Sequence, residues 1–357
     1  MWKATHGEDA WRGLARDAGH RHHRQGKIIR LKVNSRPAVN GTSAGTQPMA
    51  VNLPAPVYKP SFAVTRASHV VNRVKDLAAS RNFYVDLLGL AVSDESKDTL
   101  WLRGMEEGCH HSLVLKVGEP SCERVGMRVL TEEDLDLAHT HFRDAGFPVA
   151  WVDVAHQGRT LHTTDPAGTP LEFCATMETR PRLFHHVEAY RGAAAQRLDH
   201  FQILTPKVRE SLDFYNAIGF RLSEYVLHEG GQRLLMIFLQ RKGNPHDIVF
   251  TDSPGPRLHH LAYTVPETSS LMLTADLFVR AGFASQVEFG PARHFSPGLA
   301  RFLYLRDPDG HRVELFPTHY QTIDIEDEPL CWEVPNFQIG GWQEPPRRWL
   351  EEATKFA

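Results

Sequence analysis

The chain has 357 residues, 41% of them hydrophobic and 23% charged, with a formal net charge of −3. That length and balance describe a globular protein of two or three domains with a sizeable core. The small net charge gives no overall pull toward nucleic acid, and no run approaches about 18 apolar residues, so neither nucleic-acid binding nor a transmembrane helix is expected.

Residues 1–60 differ from the rest. Residues 1–36 carry nine Lys or Arg against Glu8, Asp9 and Asp17, and residues 34–56 are rich in Ser, Asn, Gly, Thr and Pro. No long apolar run marks a secretory signal; the Arg-rich, acid-poor start also fits a transit peptide. The plainer reading is a disordered extension, or an upstream start with the true one at Met49. Further on, Cys109, Cys122, Cys174 and Cys331 stand far apart with no C-x-x-C pair. That spacing excludes a zinc ribbon and a disulfide framework, and fits a reducing cytoplasm.

From residue 64 the chain repeats itself four times. Short apolar runs ("ASHVVNRV", "RVGMRVL", "LDHFQIL", "LHHLAYTV") each lead into a helical stretch ending at Gly89, Gly146, Gly219 or Gly282. Glycine just past a helix ends it, because it enters the left-handed conformation cheaply. Short β-rich runs such as "LLMIFLQ" and "ARFLYLR" follow. The expected fold is α+β: four βαβββ modules paired into two domains, each a cup-shaped mixed β-sheet with helices outside. The domains are 61–180 and 195–320, with 321–357 as a tail rich in Trp, Pro and acidic residues. That tail is a candidate lid, or a surface for a neighbouring subunit.

In the C-terminal copy, His200 ("RLDHFQIL"), His260 ("LHHLAYTV") and Glu314 ("HRVELF") stand in half-buried strands where alternation asks for apolar residues. Val313 and Leu315 flank Glu314 and share the opposite face, and a buried carboxylate is costly unless paired, protonated or metal-bound. Two imidazoles and a carboxylate solve that cost together, and the set is diagnostic of non-haem Fe(II) oxygenases. The N-terminal copy keeps His69 and Glu172 but has Val125, 14 residues after His111, where His260 falls 14 after His246. It reads as a metal-free scaffold holding a buried hydrogen-bonded pair. Of the adjacent histidines, His260 faces the site and His259 faces away.

At these residues the chain resembles the vicinal oxygen chelate superfamily and, within it, the type I extradiol catechol dioxygenases, over roughly residues 64–335. The family's first His lies in an L-D-H strand (His200), its second is the latter of an H-H pair (His260), and its carboxylate follows a D-P-x-G turn (Glu314 after "DPDG"). The resemblance implies His246 ("RKGNPHDIVF") as acid–base catalyst. It implies His294 ("FGPARHFSPG") and Tyr304 as groups that hold substrate oxygens. Gln202, Phe238 and Arg293 are pocket candidates. The cofactor is Fe(II), with Mn(II) also compatible; the partners are a catecholic small molecule and O2. A homo-oligomer is expected, a tetramer being common among relatives.

The implied reaction inserts both atoms of O2 beside the catechol hydroxyls, giving a muconic semialdehyde-type product in aromatic catabolism. "RKG" and the long tail resemble the homoprotocatechuate 2,3-dioxygenase branch, but no arginine matches that branch's carboxylate-binding residues, so the substituted catechol stays open. Two other readings remain on the same fold. A glyoxalase-like isomerase or lyase needs a fourth protein ligand, and a non-catalytic binding protein needs no intact triad in either copy.

Overall fold

The computed structural model describes residues 51–228, 231–333 and 339–357. In the first module β1 (Val64–Val74) leads into α1 (Leu77–Arg81), which continues as a π-turn over Asn82–Leu87. Then come β2 (Ala91–Glu95), β3 (Thr99–Arg103) and β4 (Leu113–Val117). The second module is β5 (Ser121–Val129), α2 (Glu132–Asp144), β6 (Ala150–Val152), β7 (Thr160–Thr164) and β8 (Pro170–Cys174). The third is β9 (Arg197–Thr205), α3 (Val208–Ala217), β10 (Arg221–Leu227), β11 (Leu234–Gln240) and β12 (Ile248–Asp252). The fourth is β13 (Arg257–Thr264), α4 (Thr268–Arg280), β14 (Val287–Arg293), β15 (Arg301–Arg306) and β16 (Arg312–Phe316).

Each module is the expected βαβββ unit. The first sheet runs β2-β3-β4-β1-β5-β8-β7-β6, and the second runs β10-β11-β12-β9-β13-β16-β15-β14. Both are mixed: β1 pairs β4 in parallel and β5 antiparallel, as β9 pairs β12 and β13. The four predicted helix-ending glycines sit at φ between +79° and +86°, the left-handed region they were read to occupy.

The modules interlock through the repeated Phe-Tyr pairs. Phe83 of the first module packs against Phe278 on α4 of the fourth, with ring centroids 5.4 Å apart. Phe214 of the third packs on Phe142 of α2 in the second, at 5.7 Å. The tyrosines follow: Tyr84 donates to Asp307 Oδ2 (3.0 Å) and Tyr215 to Asp165 Oδ2 (3.4 Å). Each aspartate opens a D-P-x-G turn, so the turn before the last strand of one half is tied to a helix of the other.

Two sequence readings need correction. Residues 51–60, assigned to the extension, are packed: Val51 and Leu53 lie against the core, and Asn216 Nδ2 donates to Ala55 O (3.0 Å). Residues 1–50, with the extension and start site expected there, lie outside the described residues. The second correction concerns register. β9–β13 pairs Gln202 with His260, whereas the matching β1–β5 pair is Val71 with Arg124. Arg124, not Val125, therefore occupies the counterpart of His260. Val125 points into the apolar core with no exposure. The stretch from His111 into β5 is one residue shorter than that from His246 into β13, and a one-residue slip reverses which face a side chain takes. No ligand type stands at the position under either register.

The tail returns to the fold. β17 (Leu330–Glu333) extends the second sheet beside β10. After α5 (Arg347–Glu351), β18 (Thr354–Lys355) pairs with β13. The four cysteines are free thiols, and no described helix is long and apolar enough to cross a membrane.

Candidate metal centre

β9, β13 and β16 are neighbours, and each delivers one side chain to the same point. In register, Ala262 pairs with both His200 and Glu314, and His260 stands two residues earlier on the same face. All three are at most 3% exposed. His200 Nε2 and Glu314 Oε2 are 3.3 Å apart, His260 Nε2 and Glu314 Oε2 3.1 Å, and the two Nε2 atoms 3.3 Å.

Hydrogen bonds behind the rings fix what faces forward. His200 donates from Nδ1 to Asp199 Oδ2 (3.0 Å), which turns Nε2 to the focus; burial works to lower its pKa, but the Asp199 and Glu314 carboxylates prevail and raise it, so a bound cation displaces a proton there. Asp199 is itself held by Asn244 Nδ2 (2.8 Å); burial works to raise its pKa, but the Lys242 charge and the His200 bond prevail and keep it ionised. His259 donates from Nε2 to the Trp349 carbonyl (2.9 Å), which makes its Nδ1 the acceptor for His260 Nδ1–H (2.7 Å). Burial, the Arg312 charge and His260 hold His259 neutral. His260 Nε2 is thereby a lone pair. Glu314 is an anion: burial opposes this, but contacts from His200 and His260 hold its pKa well below the usual carboxylate range.

Three atoms of metal-ligand type thus converge on one point, where a cation takes the place of the His200 proton and meets all three lone pairs. The spacing fits one. With bonds of about 2.1 Å, neighbouring ligands of an octahedral ion lie about 3.0 Å apart, close to the observed edges. The N-terminal copy differs in kind. His69 Nε2, His162 Nε2 and Gln157 Nε2 each donate to Glu172 at 2.7 Å, so that carboxylate is satisfied by hydrogen bonds alone. His200, His246 and His319 also approach one another within 4.8 Å, but that set has no carboxylate and shares His200 with the triad.

A cavity opens over the triad. His246 lines it, buried, with its ring 4.2 Å from that of His200 and 5.3 Å from that of Phe238. Its Nδ1 has no partner, and burial, followed by the charges of His200 and His319, pushes its pKa well below the ordinary value. His294 lies flat on Phe302 (3.9 Å) and donates from Nδ1 to the Ile339 carbonyl; its Nε2 accepts from the Tyr304 hydroxyl at 3.2 Å. Burial and the Glu314 charge raise the Tyr304 pKa, so it stays a donor. Gln202 lines the cavity and donates to Thr251 Oγ1 (2.8 Å).

Arg293, expected at the pocket, is not on its wall. Alternation on β14 turns it away, and its guanidinium lies over Phe295 at 5.4 Å. Sequence reasoning missed the roles of Asp199 and His319 and left that of His259 unassigned. Asp199 entered the sequence reading only as part of the L-D-H strand, and His259 only as the histidine that faces away. His319, five residues after Glu314, is buried against Phe316 (4.2 Å) with its ring 4.7 Å from His246. The tail closes the site: Ile339 lines the cavity, and Arg312 binds the Arg348 and Glu352 carbonyls while also donating to His259 O.

The family model described as the Glyoxalase/Bleomycin resistance protein/Dioxygenase superfamily matches residues 66–173 and 197–315. The chain belongs to this superfamily, in its extradiol ring-cleaving dioxygenase branch. It is 34% identical to homoprotocatechuate 2,3-dioxygenase of Brevibacterium fuscum, solved with 3,4-dihydroxyphenylacetate; the match has a TM-score of 0.80 and covers 85% of this chain and 97% of that one. It is 28% identical over 296 residues to a manganese-dependent 2,3-dihydroxybiphenyl 1,2-dioxygenase of Geobacillus genomosp. 3, covering 78% of this chain and 92% of that one. A metapyrocatechase of Geobacillus stearothermophilus is 26% identical over 300 residues, covering 79% of this chain and 90% of that one. The chain is accordingly an oxidoreductase of the catechol-cleaving dioxygenase type.

Proposed function

We propose that His200, His260 and Glu314 hold one Fe(II) or Mn(II) ion and that a catechol bearing a neutral substituent is cleaved beside its hydroxyls at that ion. The observation that carries this is the convergence of two imidazole Nε2 atoms, each ring held from behind at Nδ1, and an ionised carboxylate oxygen within 3.1–3.3 Å of one another. When bound, the ion lowers the pKa of a catechol hydroxyl and lets electron density pass from the substrate toward O2. Two neutral imidazoles and one carboxylate leave a divalent ion with one net positive charge, which suits a catecholate monoanion.

The chain's own groups do the rest. His246 is a neutral imidazole beside the triad, able to take the proton from the second hydroxyl and return it where the ring opens. Tyr304, a donor 3.2 Å from His294 Nε2, holds substrate oxygen as charge develops there, and His294, fixed by the Ile339 carbonyl, positions that hydroxyl. Phe238 packs on the aromatic ring. The floor of the N-terminal copy, closed by the His69–Glu172 pair, holds no metal. The molecule works in the cytoplasm as a homo-oligomer.

The substituent follows from the wall. Met236, Phe238 and Val249 form an apolar side, and no Lys or Arg lines the cavity among the described residues. A carboxylate-bearing side chain would be left there without a cation. Steady-state kcat/KM for 4-methylcatechol is therefore expected to exceed that for 3,4-dihydroxyphenylacetate. The reverse order would overturn the neutral-substituent assignment while leaving catechol cleavage intact.

A further inference from the structure

The N-terminal half lacks a ligand set on its floor but carries another at its rim. Asp94 on β2, His110 just before β4 and His156 in the β6–β7 loop each bring one ligand atom within 4.8 Å of the others. We propose that Asp94, His110 and His156 form a second divalent-metal site, of the kind that takes Zn(II), clamping the first module to the second.

The details point to coordination. His156 Nε2 lies 3.4 Å from Asp94 Oδ2, and ligands about 2.0–2.1 Å from a tetrahedral zinc ion lie about 3.3 Å apart. On its other side His156 donates from Nδ1 to Glu178 Oε1 (3.0 Å), and Glu178 Oε2 is held by Arg180 (3.2 Å). A carboxylate behind the ligating histidine is the usual device for orienting it. His110 has no exposure, and its Nε2 has no hydrogen-bond partner. Its Nδ1 meets His111 Nδ1 at 3.1 Å, as His260 meets His259 at the triad.

The backbone sets these groups in place. His110 N donates to Glu178 O (2.8 Å) and Glu178 N to His156 O (2.9 Å). His156 holds φ +66°, a conformation costly for a residue with a side chain and kept where the surroundings demand it. The two imidazoles lie stacked, 3.8 Å apart and 8° from parallel, so one ring must turn out of the stack for both nitrogens to meet one ion. The half-exposed Asp94 side chain leaves the fourth position to water. Histidine nitrogens with one carboxylate suit zinc better than calcium or magnesium.

The competing account is an imidazolium at His156 bridging Asp94 and Glu178, which binds no metal. Zinc retained by the full chain after equilibration with Zn(II) and gel filtration distinguishes the two. His156→Asn and the exposed-edge variant Asp94→Ala are each expected to hold one zinc fewer than wild type. The same single loss is expected when either change is made in a His260→Ala background, so the count is independent of the triad. Zinc on the N-terminal histidines is common to all these proteins and cancels. Co(II) in the His260→Ala protein should give the intense visible bands of a tetrahedral site, absent after His156→Asn. Equal zinc counts in wild type and both variants would overturn the proposal.

Discussion

At His260 the nitrogen facing the focus of the site is chosen by the preceding residue. The Trp349 carbonyl takes the His259 proton, His259 takes that of His260, and a lone pair is left at Nε2. His259→Phe keeps a ring beside Trp349 but removes the acceptor. It should weaken metal binding about 10–100-fold in a competition titration against a chelator; unchanged affinity would show that His260 needs no such partner. His246→Phe should keep its metal yet turn over about 10²–10⁴-fold more slowly; a variant that loses metal instead would make His246 a ligand. The triad was legible because Glu314 broke an apolar alternation and His260 broke an internal repeat. Asp199 was not, and His259 was legible only as facing away. Alternation assigns neighbours to opposite faces, but a short carboxylate or an imidazole can bend round to the back of the ligand beside it. The Val125 assignment failed for a related reason: spacing counted along the chain ignores a one-residue difference between matching turns.

At the scale of elements, the tail is fastened by charges that sequence spacing does not reveal. Arg312 on β16 is 1% exposed and pairs with Glu288 on β14 at 2.7 and 3.1 Å, while Arg306 reaches the same carboxylate at 3.0 Å. Burial works to raise the Glu288 pKa, and the bond and charge of Arg312 more than reverse it, so the folded pKa lies below the ordinary 4.5. A depressed carboxylate stabilises the fold above its unfolded pKa, and that stability is lost as pH falls below about 4.5 through the folded value. Glu288→Gln should cost about 3–5 kcal/mol at neutral pH by stranding Arg312, and should flatten the acid limb of a denaturation series across pH. A variant as stable as wild type would mean that the tail holds without this pair. The helices, by contrast, were readable from their glycines and apolar spacing, since those signals are local.

Over the whole molecule, the fourfold repeat was plain in sequence, but its crossed packing was not. Phe83 meets Phe278 and Tyr84 meets Asp307, so helices of the first module cover the fourth. Contacts between distant segments leave no periodic trace in either one. Residues 195–357 expressed alone should therefore fail to fold cooperatively, losing near-ultraviolet dichroism, because α4 and α3 would face water on sides that are now buried. A soluble, cooperatively unfolding fragment would refute that dependence.

The central claim is that the triad holds a metal at which catechols are opened, and anaerobic loading tests it most directly. The full chain is loaded with Fe(II) to one equivalent at the triad, measured as the metal lost on His260→Ala, then mixed with a catechol and O2. The account predicts stoichiometric oxygen uptake and a yellow ring-fission product, both absent in His260→Ala. Full metal occupancy with neither uptake nor colour for catechol, 4-methylcatechol or 3,4-dihydroxyphenylacetate would contradict it.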